Sequence, residues 1–126
     1  MTLDALRTVE AFTDPSCVRE LQAGETLFCE GDQGERLYGL LEGAIELRSA
    51  SSPALERITA GHVFGAAALA TGEHRRQVTA VALEPCRLLE LGREEFLFAL
   101  QETPMFALAL IAGLEERLEQ AKACGS

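Results

Sequence analysis

The sequence has no tryptophan, one tyrosine and one lysine among its 126 residues. It has no Cys-x-x-Cys pair and no histidine at metal-ligand spacing from a cysteine, which argues against a zinc or iron–sulfur protein. We interpret the cysteines as reduced thiols, three of them buried and the last one in a loose tail. In chain order they are Cys17, Cys29, Cys86 and Cys124.

Positive charge is also scarce. Eleven Lys and Arg stand against twenty Asp and Glu, which gives a formal net charge of −9. Such a field repels nucleic-acid phosphates, and Lys122 alone cannot form a polybasic membrane patch. Long apolar runs are missing, and the N-terminus lacks the basic start of a secretory signal. We therefore expect a cytoplasmic protein, with neither nucleic acid nor membrane as a direct partner.

Residues that would support catalysis are absent too. The carboxylates of the Glu94–Glu95 and Glu115–Glu116 pairs point in different directions on a helix, and no nucleophile or metal ligand accompanies them. His62 and His74 flank a turn and are expected to be solvated, so we predict no haem. The sequence predicts no enzyme activity, no metal and no cofactor.

The chain is long enough for one domain, which we place at residues 1–126. Residues 1–15 contain a short amphipathic helix, from Asp4 to Phe12, with Leu3, Leu6 and Val9 at helical spacing. From 17 to 92, short apolar runs divided by turn residues are typical of an antiparallel β-sandwich or barrel. The predicted strands lie near 17–22, 26–29, 36–42, 44–48, 55–59, 76–83 and 86–91.

Helical periodicity returns at residues 93–123, with a break at Thr103–Pro104. The second of these two helices carries apolar residues at alternating spacings of four and three, as in a coiled coil. Two heptads are too short to settle its role, so a homodimer and packing on the helix's own domain are both open. The seam consists of Ala107, Ile111, Leu114, Leu118 and Ala121.

One segment has the pattern of an anion site. Phe64 to Leu69 is a glycine-led turn that opens a short helix, so its backbone N–H groups and Gly65 could approach a phosphate closely. Arg75 and Arg76 begin the next predicted strand, and one guanidinium could reach back over this turn. A phosphate clamp and a solvated arginine pair near Glu73 are the two interpretations.

Nearly the whole chain resembles the cyclic nucleotide-binding domain of catabolite-activator-type regulators, protein kinase A regulatory subunits and cyclic-nucleotide-gated channels. The first motif is the glycine-punctuated hairpin from Glu30 to Ile45, in which Gly39 departs from the family's apolar residue. The second is the phosphate-binding cassette, residues 64–81, with Phe64-Gly65 at its start and Arg76 after a loop. The resemblance implies a double-stranded β-helix, a jelly-roll-like β-roll, framed by an N-terminal helix and two C-terminal helices.

On this match Arg76 takes the cyclic phosphate of cAMP or cGMP, and the turn surrounds it. Alternation along a strand would turn Arg75 and Gln77 away from Arg76 and Val78. The implied ligand-binding residues are Phe64, Gly65, Ala66, Ala67, Ala68, Leu69, Arg76, Gln77 and Val78.

Two departures weaken the implied nucleotide site. Ala66 replaces the glutamate that holds the ribose hydroxyl, a loss worth about ten- to a hundredfold in affinity. Val78 replaces a smaller residue inside the pocket. For the purine cap the last helix offers Gln120 or Lys122.

The alternatives are a weak cyclic-nucleotide sensor and a protein-interaction or dimerisation module without ligand. Because the given sequence stops at Ser126 without a helix-turn-helix, we do not expect operator binding; an N-terminal fragment of a larger regulator is a third option.

Overall fold

The computed structural model of the chain describes residues 4–14, 16–70 and 72–125, without the side chains of Ala54 and residues 123–125. The predicted helical position of Leu3 and the predicted tail thiol of Cys124 therefore lie outside the described residues.

The described residues form eight strands and four helices. The strands make two four-stranded antiparallel sheets, in the orders β1-β8-β3-β6 and β2-β7-β4-β5. The predicted fold class is confirmed, a mainly β fold with one N-terminal and two C-terminal helices. The elements are α1 (Ala5–Ala11), β1 (Arg19–Leu21), β2 (Thr26–Phe28), β3 (Arg36–Glu42), β4 (Ala44–Ser49), β5 (Ser52–Thr59), β6 (Val63–Phe64), α2 (Ala67–Ala70), β7 (Thr79–Ala82), β8 (Cys86–Gly92), α3 (Arg93–Glu102) and α4 (Met105–Gly125).

Two strand predictions were wrong in detail. The pattern missed β6, because a two-residue strand after Gly61-His62 resembles the rest of its turn; it pairs with Tyr38 and Gly39 of β3. The strand expected at 76–83 is only β7, because the segment before it bridges to the 31–34 turn instead of joining a sheet. Arg76 therefore lies in the segment before β7 and not within a strand.

The hydrophobic core has two parts. One fills the space between the sheets and includes Leu40, Ile45 and Leu88, each fully buried. The other lies between the first sheet and the helices. Its buried members are Leu6, Val9, Leu37, Leu69, Leu89, Leu91, Ala99 and Phe106.

Gly39, the departure in the first motif, lies where α1 packs on β3. A Cβ at this position would lie 2.5 Å from Cδ1 of Leu6. A larger side chain at Gly39 would therefore require the end of the Leu6 side chain to move. Asp4 caps α1, accepting a hydrogen bond from the backbone N–H of Leu6 at 3.0 Å.

The two C-terminal helices meet at the predicted break. Thr103 caps α3, and its carbonyl accepts from the N–H of Phe106, which anchors α4 in the second core at 1% exposure. Within the described residues, no single helix has the length and apolar composition to span a bilayer. Taken together, α3 and residues 105–122 of α4 meet those criteria, although they are bent by 112° at the break.

Candidate functional site

A cavity of about 460 Å³ lies between the β-roll and α4. Its walls come from the cassette, from the inner face of the second sheet and from the middle of α4. The residues that line it and matter here are Phe28, Leu47, Glu56, His62, Phe64, Gly65, Ala66, Ala67, Ala68, Arg76, Gln77, Val78, Ala109, Ala112, Gly113, Glu116 and Arg117.

Three backbone hydrogen bonds join the loop at residues 31–34 to residues 74–76 and hold Arg76 in place; we call them the backbone zipper. The N–H of Gly34 donates to the carbonyl of His74 at 2.6 Å, and the N–H of Arg76 donates to the carbonyl of Asp32 at 2.7 Å. The N–H of Gly31 completes the zipper on the carbonyl of Arg76, at 2.9 Å. These bonds hold Arg76 outside the sheets, on the buried side that the alternation predicts, and they bring the first motif and the cassette together.

Arg76 is 5% exposed, and its guanidinium lies against aromatic rings. Its central carbon is 4.1 Å from the centroid of Phe28 and 5.6 Å from that of Tyr38. One terminal nitrogen donates to the carbonyl of Gly65 at 2.8 Å, and the other donates to the carbonyl of Arg36 at 2.6 Å. The side chain thus spans from β3 to the cassette turn.

The charge of Arg76 is not balanced by any carboxylate at ion-pair distance within the described residues. Its Nε is buried and has no hydrogen-bond partner there. Burial lowers the pKa of Arg76, against the opposing influence of Tyr38 and Asp32. A buried cation with a vacant donor is costly unless an anion completes the site.

The cassette turn is built as the motif predicts. Gly65 has φ +86°, which favours glycine, and a Cβ there would lie 3.1 Å from Nη1 of Arg76. Ala66 is half-buried and Ala67 is exposed, while Ala68 and Leu69 are buried. The turn and the guanidinium therefore border the same cavity in direct contact.

The residues around Arg76 follow the predicted alternation. Arg75 is exposed and donates to the carbonyl of Gly31 at 3.0 Å, whereas Arg76 is buried. Gln77 is exposed like Arg75, to whose carbonyl its amide donates at 3.5 Å, and Val78 packs against the core of the roll. Gln77 and Val78 both line the cavity.

Both histidines are half-buried, so the prediction that they are solvated was wrong. Nδ1 of His74 donates to the carbonyl of Ala68 at 2.9 Å, which ties the cassette helix to its loop. Nδ1 of His62 lies 3.1 Å from the carbonyl of Thr59, and its Nε2 lies 3.3 Å from a carboxylate oxygen of Glu116.

The expected purine cap is not formed by Gln120 or Lys122. Both are exposed and neither lines the cavity. The part of α4 that does line it runs from Ala109 to Arg117, one to two turns earlier than expected.

Arg117 makes the polar contact between α4 and the roll that the sequence did not indicate. Its Nε and Nη2 donate to the carboxylate of Glu56 at 2.6 and 2.9 Å. The partners are 61 residues apart, so no local spacing could have paired them. The one available signal was an acidic residue on the apolar face of a strand.

The cysteines do not form a site. Cys17 and Cys29 are exposed, contrary to prediction, because each lies in a loop beside a strand; Cys86 is buried as expected. No group of three or more metal-ligating side chains occurs among the described residues.

The described residues thus form a β-roll that holds a buried guanidinium, without a carboxylate partner among them, beside a cavity that a helix covers. Comparison with known proteins gives the family. The model of the cyclic nucleotide-binding domain matches residues 18–103, and the chain belongs to that family.

Several relatives are similar to this chain. The global nitrogen regulator of Synechocystis is 38% identical over 112 residues, covering 84% of this chain and 49% of its own. The cyclic AMP receptor protein of Thermus thermophilus is 35% identical over 102 residues, covering 78% and 47%. A solved structure from a cyclic-GMP-dependent pathway of bacterial phytopathogenesis matches with a TM-score of 0.79 and 28% identity, covering 94% and 95%. The chain spans about half the length of the global nitrogen regulator and of the cyclic AMP receptor protein.

Proposed function

We propose that this chain is a non-catalytic sensory module whose cavity binds a cyclic nucleotide, cAMP or cGMP, weakly. The observation that carries this proposal is Arg76, which is 5% exposed, lies on the wall of the cavity and has an Nε without a partner among the described residues. A cyclic phosphate is a compact anion that supplies both the charge and the acceptor atoms that this group lacks. The names of the cyclic AMP receptor relative and of the cyclic-GMP-dependent pathway support the same ligand class.

Weak binding is expected for two reasons that the geometry supports. Ala66 offers no carboxylate to a ribose hydroxyl, although it lines the cavity. The methyl groups of Val78 occupy part of the same wall. Each feature lowers affinity for a ribose phosphate, and together they put the dissociation constant above that of a site with the family's usual residues.

The signal would pass through Leu69. This residue of the cassette helix is buried in the core beneath the helices, together with Phe106 of α4. Phosphate capture tightens the turn from Gly65 to Leu69. Because Leu69 packs with Phe106, a displacement of Leu69 shifts α4. The regulatory output is then a change in the position of α4.

A thermal-shift and calorimetric titration with cAMP and cGMP tests the proposal. A nucleotide at a hundred times its dissociation constant stabilises the folded chain by about 2.7 kcal/mol. Substitution Arg76→Ala is expected to abolish this binding, whereas Arg75→Ala, at an exposed neighbour, leaves it unchanged. The proposal fails if neither nucleotide changes the melting temperature, or if Arg76→Ala binds at full strength.

The second candidate function is a dimerisation or protein-interaction module, favoured by the exposed face of α4. Leucine and isoleucine side chains repeat along this helix with about half of their surface open to solvent. They are Leu108 at 50%, Ile111 at 57%, Leu114 at 55% and Leu118 at 54%. A second copy that covers this face would form a homodimer, with or without a ligand.

A further inference from the structure

Glu56 lies on the inward face of β5, where a hydrophobic side chain is expected. Along this strand Leu55 is 59% exposed and Ile58 is 1% exposed, so alternation places Glu56 on the same side as Ile58. Across the ladder it pairs with Leu47, which is buried and lines the cavity. A carboxylate at such a position is costly unless it has partners, and it serves a purpose other than core packing.

Arg117 holds this carboxylate in one orientation. The contact is bidentate, at 2.6 and 2.9 Å, and the two side chains are only 18% (Arg117) and 29% (Glu56) exposed. Fork-to-fork pairing fixes the plane of the carboxylate as well as its distance. Each oxygen of Glu56 still has a lone pair with no partner among the described residues, because one guanidinium occupies one acceptor position on each.

The cavity therefore has two polar walls of different character. Among the described residues, Arg76 has no carboxylate at ion-pair distance and its Nε donor has no acceptor. The Glu56–Arg117 pair is electrically neutral and offers free acceptor positions. An anion gains most at Arg76, whereas a neutral hydrogen-bond donor gains most at Glu56.

We propose that Glu56, oriented by Arg117, is the ligand-selecting carboxylate of this cavity and accepts a hydrogen bond from a hydroxyl or amino group of an anionic ligand bound at Arg76. The inference rests on the proposed function. It assigns the chain an acceptor on β5, on the wall of the cavity, whereas Ala66 in the cassette supplies none.

The experiment compares the full chain with its Glu56→Gln and Arg117→Met variants. Isothermal calorimetry measures binding of cAMP, of 2′-deoxy-cAMP and of cyclic inosine monophosphate, which lacks the adenine amino group. The matched control is Glu42→Gln, which removes an equally charged, ion-paired carboxylate on the outside of the roll, where Glu42 is 63% exposed beside Arg87. Thermal unfolding of each variant verifies that it is folded.

The inference predicts that Glu56→Gln weakens cAMP binding about ten- to a hundredfold, because a hydrogen bond to a charged acceptor is lost. This loss should disappear for whichever analogue lacks the donor that Glu56 contacts. Arg117→Met should reproduce the selectivity change, since it frees Glu56 to rotate. Glu42→Gln should bind like the wild type.

Three results overturn the inference while the proposed function stands. The first is unchanged binding by Glu56→Gln. The second is tighter binding, which would mean that Glu56 competes with the ligand for Arg117. The third is an equal loss for all three ligands, which would indicate a structural effect. If the wild-type chain binds neither these three ligands nor cGMP, the proposed function itself fails and the inference fails with it.

Discussion

A Cβ atom on Gly34 would lie 2.5 Å from Nε of Arg76. It would also lie 2.7 Å from the Cβ of Ala68 in the cassette helix. The glycine of the first motif thus makes room for the guanidinium of the second, and the backbone bond from Gly34 to His74 holds the two loops at this separation. Residues more than forty positions apart in the chain act as one unit around the anion site.

Substitution Gly34→Ala should displace Arg76. The added methyl group meets the buried end of the side chain, so the guanidinium must leave its place against Phe28 or the zipper must open. We expect a loss of about 1–3 kcal/mol in the free energy of unfolding, measured by urea denaturation. The control is Gly72→Ala, where a Cβ meets nothing within 4 Å. Equal stability of both variants would contradict this account of the contact.

Substitution Arg76→Met should separate stability from binding. The buried charge has no carboxylate partner in the part of the chain that the structure describes, and its desolvation opposes folding, whereas methionine keeps much of the packing against Phe28 and Tyr38. The carbonyls of Gly65 and Arg36 each lose a donor, which offsets part of the gain. We expect a free energy of unfolding about 1 kcal/mol above that of the wild type.

Nucleotide-induced stabilisation should be absent in the same variant. Arg75→Met serves as the control, since its exposed guanidinium contributes little; both stability and ligand response should stay near wild type. A strongly destabilised Arg76→Met would show that the guanidinium is held for the fold and not for a ligand.

The strand positions could be predicted because turn residues divide the apolar runs. The bounds of β3 and β4 agree closely with the predicted ones, since Gly43 separates two apolar runs. The β6 strand could not be found, because two residues carry no periodicity. The start of β7 was misplaced because residues 74–76 bond to a loop that is distant in sequence.

The cassette was visible in the sequence, but the state of Arg76 was not. Whether an arginine faces solvent or stacks on a ring depends on where Phe28 and Tyr38 fall in the folded roll. For the same reason the Glu56–Arg117 pair escaped prediction, since it depends on the register of β5 and the direction of α4. Side chains that meet through tertiary packing leave no local signal.

Stability should fall at alkaline pH through Cys86. Burial raises the pKa of this thiol. Between the unfolded and folded pKa values, the unfolded chain releases a proton that the native chain keeps, so rising pH favours unfolding. The contribution of Cys86 is therefore fully present below about pH 8.5 and is lost above it, at no more than about 1.4 kcal/mol per pH unit.

Urea denaturation under reducing conditions at pH 7 and at pH 9.5 measures this loss. Cys86→Ala should be less stable than the wild type at pH 7 but should lose less between the two pH values. Cys29→Ala, at an exposed thiol, should keep the wild-type dependence. Parallel losses in wild type and Cys86→Ala would exclude the thiol as the cause. Tyr38, whose pKa burial also raises, adds a further loss only above about pH 10.

The exposed face of α4 should mediate self-association. Ile111 and Leu118 are 57% and 54% exposed and lie two turns apart on one side of the helix, so a second copy could cover both. In sedimentation velocity at tens of micromolar, the wild-type chain is expected to be dimeric. The double variant Ile111→Glu, Leu118→Glu should be monomeric with an unchanged melting temperature of the monomer, because neither side chain contributes much to its own core.

The matched control for this prediction is Leu55→Glu, which places the same charge at a leucine that is 59% exposed on β5. If general surface hydrophobicity drove association, this variant would dissociate as readily as the helix variant. We expect it to stay dimeric, because a lone exposed leucine on a strand offers no repeating surface for a symmetric partner. A monomeric wild type, or a dimeric double variant, would mean that α4 is left open for some purpose other than pairing with a second copy.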